Sequence, residues 1–451
     1  MYVKPRGPRR TGRMLLVAVA LVATLSGAAF GIVTLTSGDG GAGSPEAAVK
    51  RLFAAIDRAD VLGVMEALPP SERDALRRAS EQVVDRLKTI RVLDEKASLA
   101  DARGVTATVT GLTTRSTAIT TDLAVVDLTG GRLVLTGDAN QAPFGPVVQR
   151  ILDRQTGPRR ATGDNDLRGG RLVAAREADG WYVSITGSIL QLVADGGDSS
   201  RSVRTLGNPT PAIGAASPEE AVRQLVDALS RFDIERSIGL LDPRSGWVWQ
   251  AYGSRLAAMV DAGTSPTVTV KRLDLAADQR SATTAVVRAS GFEVIVESRS
   301  EDGLDTATYT WDGRCMRSTS RFAAPDGSGD VLRPAVISTC QEDNGSAALD
   351  VDPFWPVYGK LLSPEVAVVA RDGRWYVDPS STILQTVRAA VGSVDEAAAE
   401  RWLRFMTGDI WLMYGDQFWK DCGVARPGLD ANRQQAERAF ERCIGFALSG
   451  D

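Results

Sequence analysis

The residues with the clearest potential chemistry in this 451-residue sequence are four cysteines. Cys315, Cys340, Cys422 and Cys443 all lie in the second half, and no pair has the Cys-x-x-Cys spacing of zinc or redox sites. In an oxidising compartment an even number of cysteines indicates disulfides. The simplest connectivity is sequential, Cys315 with Cys340 and Cys422 with Cys443, although four cysteines permit three connectivities. Free buried thiols are the alternative.

The sequence contains no histidine, which removes the commonest general base and the commonest ligand of transition metals. A Ser-His-Asp or Cys-His arrangement is therefore impossible within the chain. No other set of residues indicates a nucleophile, a base or a metal site. We expect a protein without catalytic residues and without a metal or other cofactor.

Aromatic residues supply the one candidate binding surface. Eight of the nine tryptophans lie in the second half of the chain, and Trp247, Trp249 and Tyr252 are close together in sequence. These three residues are expected either to form an aromatic platform for a lipid or glycan at the mouth of a pocket or to pack in a core.

The elements that carry these residues are organised by an internal duplication. Ser-Pro-Glu-Ala-Ala-Val at 44–49 returns as Ser-Pro-Glu-Glu-Ala-Val at 217–222, an offset of 173 residues. Pro-Phe-Gly-Pro-Val at 143–147 returns as Pro-Phe-Trp-Pro-Val at 353–357, and Trp-Tyr-Val at 181–183 returns at 375–377. Three blocks in the same order indicate two copies of one domain, because solenoid units are far shorter.

Each copy changes from a helical to a strand pattern. Ser44 is a plausible N-cap and Pro45 suits the first helical position. Farther on, Val105, Ala107 and Val109 alternate with threonines, which is the two-residue period of a strand. Helices followed by an antiparallel meander predict an α+β fold.

These motifs resemble those of the nuclear-transport-factor-2-like, or cystatin-like, α+β superfamily. They comprise the Ser-Pro-Glu-Glu-Ala-Val helix, Asp60 and Asp233 about a dozen residues later, Leu-x-Pro at 68–70 and 241–243, and Asp-Gly-Arg-Trp-Tyr at 372–376. The closest similarity is to its extracytoplasmic branch in bacterial lipoproteins and actinobacterial membrane proteins. The resemblance covers about 44–193 and 217–390, and it implies a curved sheet wrapped around helices to form a cone. It does not specify a function, since the superfamily includes enzymes, binders and assembly subunits.

A hydrophobic run near the start predicts a membrane anchor. Met14 to Leu35 contains no charged residue, and Lys4, Arg6, Arg9, Arg10 and Arg13 precede it. At about 1.5 Å per residue the run spans about 33 Å, enough for a bilayer core, and the cations favour a cytoplasmic N-terminus. A cleaved signal peptide is the alternative.

These observations predict the domain organisation. We expect a basic cytoplasmic tail at 1–13, an anchor at 14–35, a Gly-rich linker at 36–43, repeat 1 at 44–195, a linker at 196–216, repeat 2 at 217–392 and a helical hairpin at 393–451. In the hairpin, Ala397 to Trp419 is expected to be one amphipathic helix, whose apolar surface is covered by repeat 2, by a partner or by the membrane face.

The predicted function is that of a non-catalytic, membrane-anchored extracytoplasmic binding or scaffolding protein of the bacterial cell envelope. Its partners would be the cytoplasmic membrane, through Met14 to Leu35, and an envelope protein, lipid or glycan. A net charge of −4, with five cations in the short N-terminal tail, argues against nucleic acid. The alternatives are a subunit of a secretion or conjugation apparatus and a SnoaL-like small-molecule enzyme.

Overall fold

The computed structural model describes residues 40–449 apart from 99, 101, 155–157, 179, 199, 261–265, 301–302, 324–334, 341–364, 415 and 429–430. The predicted anchor at 14–35 and the duplicated block at 353–357 lie outside the described residues. Among the helices within these ranges, none has the length and apolar character needed to cross a membrane.

Repeat 1 begins with helices and continues with strands. Its helical part consists of α1 (Pro45–Asp57), α2 (Val61–Glu66) and α3 (Pro70–Thr89). A long hairpin and a helix follow, β1 (Val105–Ala118), β2 (Leu123–Asp138) and α4 (Pro146–Arg154). The last elements are β3 (Arg160–Asp166), β4 (Arg171–Glu177), β5 (Gly180–Ser184) and α5 (Ile185–Ala194).

The strands of repeat 1 that the structure describes form a five-stranded antiparallel sheet. One edge of β2 pairs with β1, and the other edge pairs first with β4 and then with β3. The β1–β2 register shifts between Thr110 and Thr114, which marks a bulge that increases the local twist. The result is a curled sheet beside helices, so the α+β class is confirmed.

Repeat 2 also begins with three helices, continues with strands and ends with a helix, and its sheet is larger. Its helices are α6 (Pro218–Ser230), α7 (Ile234–Gly239) and α8 (Trp247–Ala257). Its strands are β6 (Thr267–Ser281), β7 (Thr284–Ser300), β8 (Gly303–Trp311), β9 (Cys315–Ala323), β10 (Ala335–Cys340), β11 (Val366–Arg371) and β12 (Arg374–Val377), followed by α9 (Pro379–Gly392). Within the described ranges these strands form a seven-stranded sheet in which β7 pairs with β6, β8 and β11.

The first helices of the two repeats share local backbone geometry as well as sequence. The hydroxyls of Ser44 and Ser217 each accept the backbone N–H three residues later at 3.2 Å, which caps α1 and α6. After these helices, Ala59 and Phe232 have φ values of 50° and 56°. Because a non-glycine residue adopts such a φ only when its surroundings require it, the shared strain supports a common origin of the two repeats.

The two repeats pack on each other by reciprocal helix contacts. Helix α5 of repeat 1 contacts α8 of repeat 2, whereas α9 of repeat 2 contacts α3 of repeat 1. Since α8 corresponds to α3 and α9 to α5, each repeat contributes the same pair of helices. In the sheet of repeat 1, Val126 and Ala174 face α1, while Val125 and Val173 share a core with α5 and α8. The core of repeat 1 therefore includes side chains of repeat 2.

The C-terminal region differs from the predicted two-helix hairpin. It comprises α10 (Glu396–Met406), a 3-10 helix (Ile410–Met413), α11 (Asp416–Asp421) and α12 (Arg433–Ser449). The single helix expected over 397–419 is wrong, because Gly408 adopts a φ of 111° and Arg404 donates to Asp409 at 2.7 Å across the break.

The apolar surface of this region is covered by two different contacts. Helix α10 packs on α4 of repeat 1, where Arg150 donates to Glu400 at 2.7 Å, a contact that none of the expected alternatives included. The remaining helices build their own core around Trp411, Trp419 and Phe440.

Candidate functional site

The three aromatic candidates lie between the repeats. Tyr252 is 0% exposed, and together with Val248 it packs in a cluster formed mainly by side chains of repeat 1. Trp247 and Trp249 pack against the same cluster, and the Trp247 indole donates to Glu177 of repeat 1 at 2.8 Å. The structure thus buries Tyr252 in the core between the repeats and packs the partly buried Trp247 and Trp249 against that core.

A buried polar network connects this cluster to repeat 1. The Tyr252 hydroxyl donates to Gln191 at 3.0 Å, and the Gln191 amide donates to Asp195 at 2.9 Å. Asp195 also accepts from Arg171 at 2.7 Å. Burial, together with the negative charge of Asp195, raises the pKa of Tyr252 above its ordinary value. A phenol that is so hard to ionise and has no exposed surface is a poor general base.

The cysteines are arranged as two pairs in separate places. Cys422 and Cys443 form a disulfide with a Cα–Cα distance of 5.3 Å, which joins the end of α11 to α12. Cys315 is disulfide-bonded, and Cys340 lies directly opposite it in the β9–β10 ladder. Both arrangements agree with the sequential connectivity.

An apolar groove crosses repeat 1 between its first helices and α5. Its volume is about 550 Å³, inside the roughly 300–1,000 Å³ typical of small-molecule sites. We call it the repeat-1 groove. The first helices contribute Leu52, Val64, Met65, Leu68 and Leu76. The strands contribute Leu172 and Val183, and the remaining apolar wall belongs to α5.

The wall formed by α5 is a stripe of aliphatic side chains that stays open to solvent. Ile185, Ile189 and Leu192, here called the aliphatic stripe, are 43%, 55% and 53% exposed. Their spacing of four and three residues places them on one helical face. The other face, with Leu190 and Ala194, packs against the sheet and α8. Helix α5 is therefore apolar on both faces, and one of these faces is open to solvent.

The N-terminus of α5 is held against α3 by a buried carboxyl group. Ser184 Oγ donates to Glu72 at 2.5 Å, and the Ile185 N–H donates to the same carboxyl group at 2.8 Å. Burial raises the pKa of Glu72 above its usual range, although these donors oppose the shift. The contact fixes one end of the repeat-1 groove.

The corresponding contact in repeat 2 exchanges donor and acceptor. At the positions of Glu72 and Ser184, repeat 2 has Ser245 and Asp378, and the Ser245 hydroxyl donates to Asp378 at 2.8 Å. The corresponding pair of helices is therefore joined in each repeat. The carboxylate belongs to the third helix in repeat 1 and to the start of the last helix in repeat 2.

Each polar side chain of the repeat-1 groove already has a partner within the protein. Arg171 donates to Asp127 at 2.8 Å as well as to Asp195. Ser188 Oγ donates to the Ser184 carbonyl at 2.6 Å and accepts a backbone N–H of β4 at 2.9 Å. With these groups paired, the surface that the groove presents to a ligand is mainly aliphatic.

Repeat 2 lacks an equivalent of this groove wall. The three positions of the aliphatic stripe correspond to Pro379, Ile383 and Thr386, at an offset of 194 residues. The depression found in repeat 2 lies between α6 and β6 and has a volume of about 350 Å³. Its charged lining residues are Glu220, Arg223, Asp227, Lys271 and Arg272.

The repeat-1 groove was missed by sequence reasoning, although a signal was present. Ser-Ile-Leu-Gln at 188–191 returns as Thr-Ile-Leu-Gln at 382–385, but this repetition alone does not indicate the helix that contains it. Ile185, Ile189 and Leu192 lie on one face of a helix, and Leu190 lies on another. Apolar residues on two faces are typical of a helix that makes contacts on both sides.

The part of the chain that the structure describes contains no group of three or more cysteine, aspartate or glutamate residues arranged to hold a metal ion. No protein-family model matches this sequence, and no curated protein or solved structure shows significant similarity to it.

Proposed function

We propose that the protein is a non-catalytic binding or scaffolding module, held at the outer face of a bacterial cytoplasmic membrane by Met14 to Leu35. The observation that supports binding is the repeat-1 groove, an open aliphatic surface whose polar side chains are all paired. Such a surface contributes binding energy through apolar burial and offers no group for chemistry.

The location is tested by topology. Protease added to intact spheroplasts should digest the full-length protein, because the predicted span places everything after Leu35 outside. The positive charges before Met14 support this orientation. A mature N-terminus near residue 30 would show instead that the segment is a cleaved signal peptide.

Binding is tested by placing a photoreactive residue in the groove of the full-length protein in its native membrane. Ile189→benzoylphenylalanine should form a covalent adduct on illumination. The matched control is Ile383→benzoylphenylalanine, at the equivalent and similarly exposed position of repeat 2. Adducts at neither position, or equal adducts at both, would contradict a binding role for the groove.

The alternatives give different results in the same experiments. An adduct at Ile189 with a component of a translocation complex would favour the secretion or conjugation subunit. An enzyme of the SnoaL type would require turnover of a small molecule that is lost when one Tyr or Asp is replaced. The buried Tyr252, beside Asp195, does not favour that role.

A further inference from the structure

We infer that the repeat-1 groove holds one acyl chain of a lipid from the membrane that anchors the protein. This inference rests on the proposed membrane-anchored binding function and deepens it by naming the class of ligand. It is supported by the chemistry of the lining, by the volume of the groove and by the place where the chain emerges from the fold.

The lining matches a saturated hydrocarbon chain. The aliphatic stripe faces leucine, valine and methionine side chains, and no aromatic residue lines the groove. Aromatic platforms are typical of glycan sites and of cationic ligands, so their absence from the lining disfavours a sugar. The polar residues at one end, Arg171 and Asp195, belong to an ion-pair network with Asp127 and Arg255, whose two positive and two negative charges balance.

The groove is large enough for one hydrocarbon chain. Its volume of about 550 Å³ lies within the roughly 300–1,000 Å³ typical of small-molecule sites. A chain lying along the aliphatic stripe would cover the side chains of Ile185, Ile189 and Leu192 that are now open to solvent.

The N-terminal end of the described chain lies beside the groove. The Gly40 carbonyl accepts from Arg51 Nη1 at 2.7 Å, and Ala42 pairs with Trp181 of β5. The next residues along these two elements include Leu52 and Val183, which line the groove.

This attachment limits the distance between the groove and the bilayer. The predicted span ends at Leu35, five residues before Gly40, and five residues reach at most about 18 Å in any conformation. The groove is therefore held close to the lipid headgroups. A lipid could place one chain in the groove while its headgroup remains at the membrane surface, so that the aliphatic stripe becomes covered.

The experiment uses the full chain reconstituted in phosphatidylglycerol nanodiscs. A fraction of the phosphatidylglycerol molecules carries a photoreactive diazirine on one acyl chain. After illumination, mass spectrometry should locate the label on peptides containing Ile185–Ala194. Leu192→Asp should reduce that labelling at least tenfold, because a carboxylate would face the hydrocarbon chain. Since Leu192 is 53% exposed, the substitution should leave the thermal midpoint unchanged.

The matched control is Val193→Asp, one residue farther along α5. Val193 is 47% exposed but does not line the groove, so this variant should be labelled like the wild type. A second pair, Ile189→Asp and Ile383→Asp, repeats the comparison between the two repeats. The inference is supported if lipid labelling is lost in Leu192→Asp and Ile189→Asp but is retained in Val193→Asp and Ile383→Asp.

Three outcomes would overturn it. One is equal labelling of all variants, and another is labelling confined to peptides outside the groove. The third is labelling by free diazirine-palmitate but not by the phospholipid, which would exclude the membrane as the source. A protein adduct in the native-membrane experiment, without lipid labelling, would support the proposed binding role while rejecting the acyl chain.

Discussion

At the scale of single residues, a buried ion pair joins the helices of repeat 2 to its sheet. Arg371 donates to the two oxygens of Asp242 at 2.5 and 3.0 Å, and the Asp242 side chain is 1% exposed. Burial favours the neutral acid, but the hydrogen bonds and charge of Arg371, with the backbone N–H groups of Ser245 and Arg244, outweigh it. The pKa of Asp242 is therefore lowered.

A lowered carboxyl pKa has a defined effect on the pH dependence of stability. The ionised Asp242 stabilises the folded state above its unfolded pKa of about 3.9, and this contribution is lost as the pH falls through the lower folded pKa. Asp242→Asn should reduce the free energy of unfolding by about 2 kcal/mol at pH 7. In urea unfolding, the difference in the free energy of unfolding between this variant and the wild type should persist down to about pH 4 and become smaller below it.

The control is Asp274→Asn, which removes a contact of 3.3 Å between Asp274 and Arg272 on the surface. Both side chains of that pair are more than half exposed, so the effect should be within about 0.5 kcal/mol at any pH. A constant loss in Asp242→Asn across the whole pH range would show that its carboxylate charge is not the cause.

At the scale of elements, the C-terminal disulfide stabilises a local unit. Cys422 and Cys443 are 21 residues apart in sequence, and the helices they join share the core around Trp411 and Trp419. Closing a loop of this size is worth about 3 kcal/mol in the chain-entropy description. Because α10 carries the contact with repeat 1, α11 and α12 depend chiefly on their own core and on this bond.

The double variant Cys422→Ala/Cys443→Ala should therefore loosen α11 and α12 first. Hydrogen exchange should show faster exchange in these two helices, with the amides of β2 and β4 unchanged. The corresponding variant Cys315→Ala/Cys340→Ala should leave α11 and α12 as in wild type. Uniformly faster exchange across both repeats would contradict a local role for the Cys422–Cys443 disulfide.

At the scale of the whole molecule, the two repeats complete each other. One face of the sheet of repeat 1 is covered by α5 together with α8, whose Val248 and Tyr252 are buried there. The Tyr252–Gln191 hydrogen bond and the Trp247–Glu177 hydrogen bond cross the same boundary. The two repeats therefore share a core and side-chain hydrogen bonds across their boundary.

A fragment containing residues 40–195 alone should therefore fail to form a stable domain. Removal of α8 exposes Leu123, Val125 and Val173, so the fragment should bind a hydrophobic dye and unfold without a cooperative urea transition. Co-expression with residues 196–451 should restore a soluble complex. If the isolated fragment unfolded cooperatively and had the same free energy of unfolding as the full chain, the repeats would not depend on each other for stability.

Sequence patterns were most informative where the cause is local. The caps at Ser44 and Ser217 involve a backbone N–H only three residues away, so the motif and the structure coincide. The strand β9 was not predicted, because Cys315–Ala323 lacks a strong apolar alternation and is stabilised by pairing with β8 and β10. The packing of Trp247, Trp249 and Tyr252 could not be predicted for a related reason, since spacing does not show which repeat a helix packs on.

By itself, the sequence determined the duplication, the α+β class and the starts of the paired helices, because capping and side-chain periodicity act over a few residues. Only the tertiary structure decided that α8 packs on repeat 1, that Tyr252 is buried and that α5 leaves its aliphatic stripe open. These features depend on contacts between segments far apart in the chain, and the same amphipathic pattern is compatible with burial against either repeat or against a ligand.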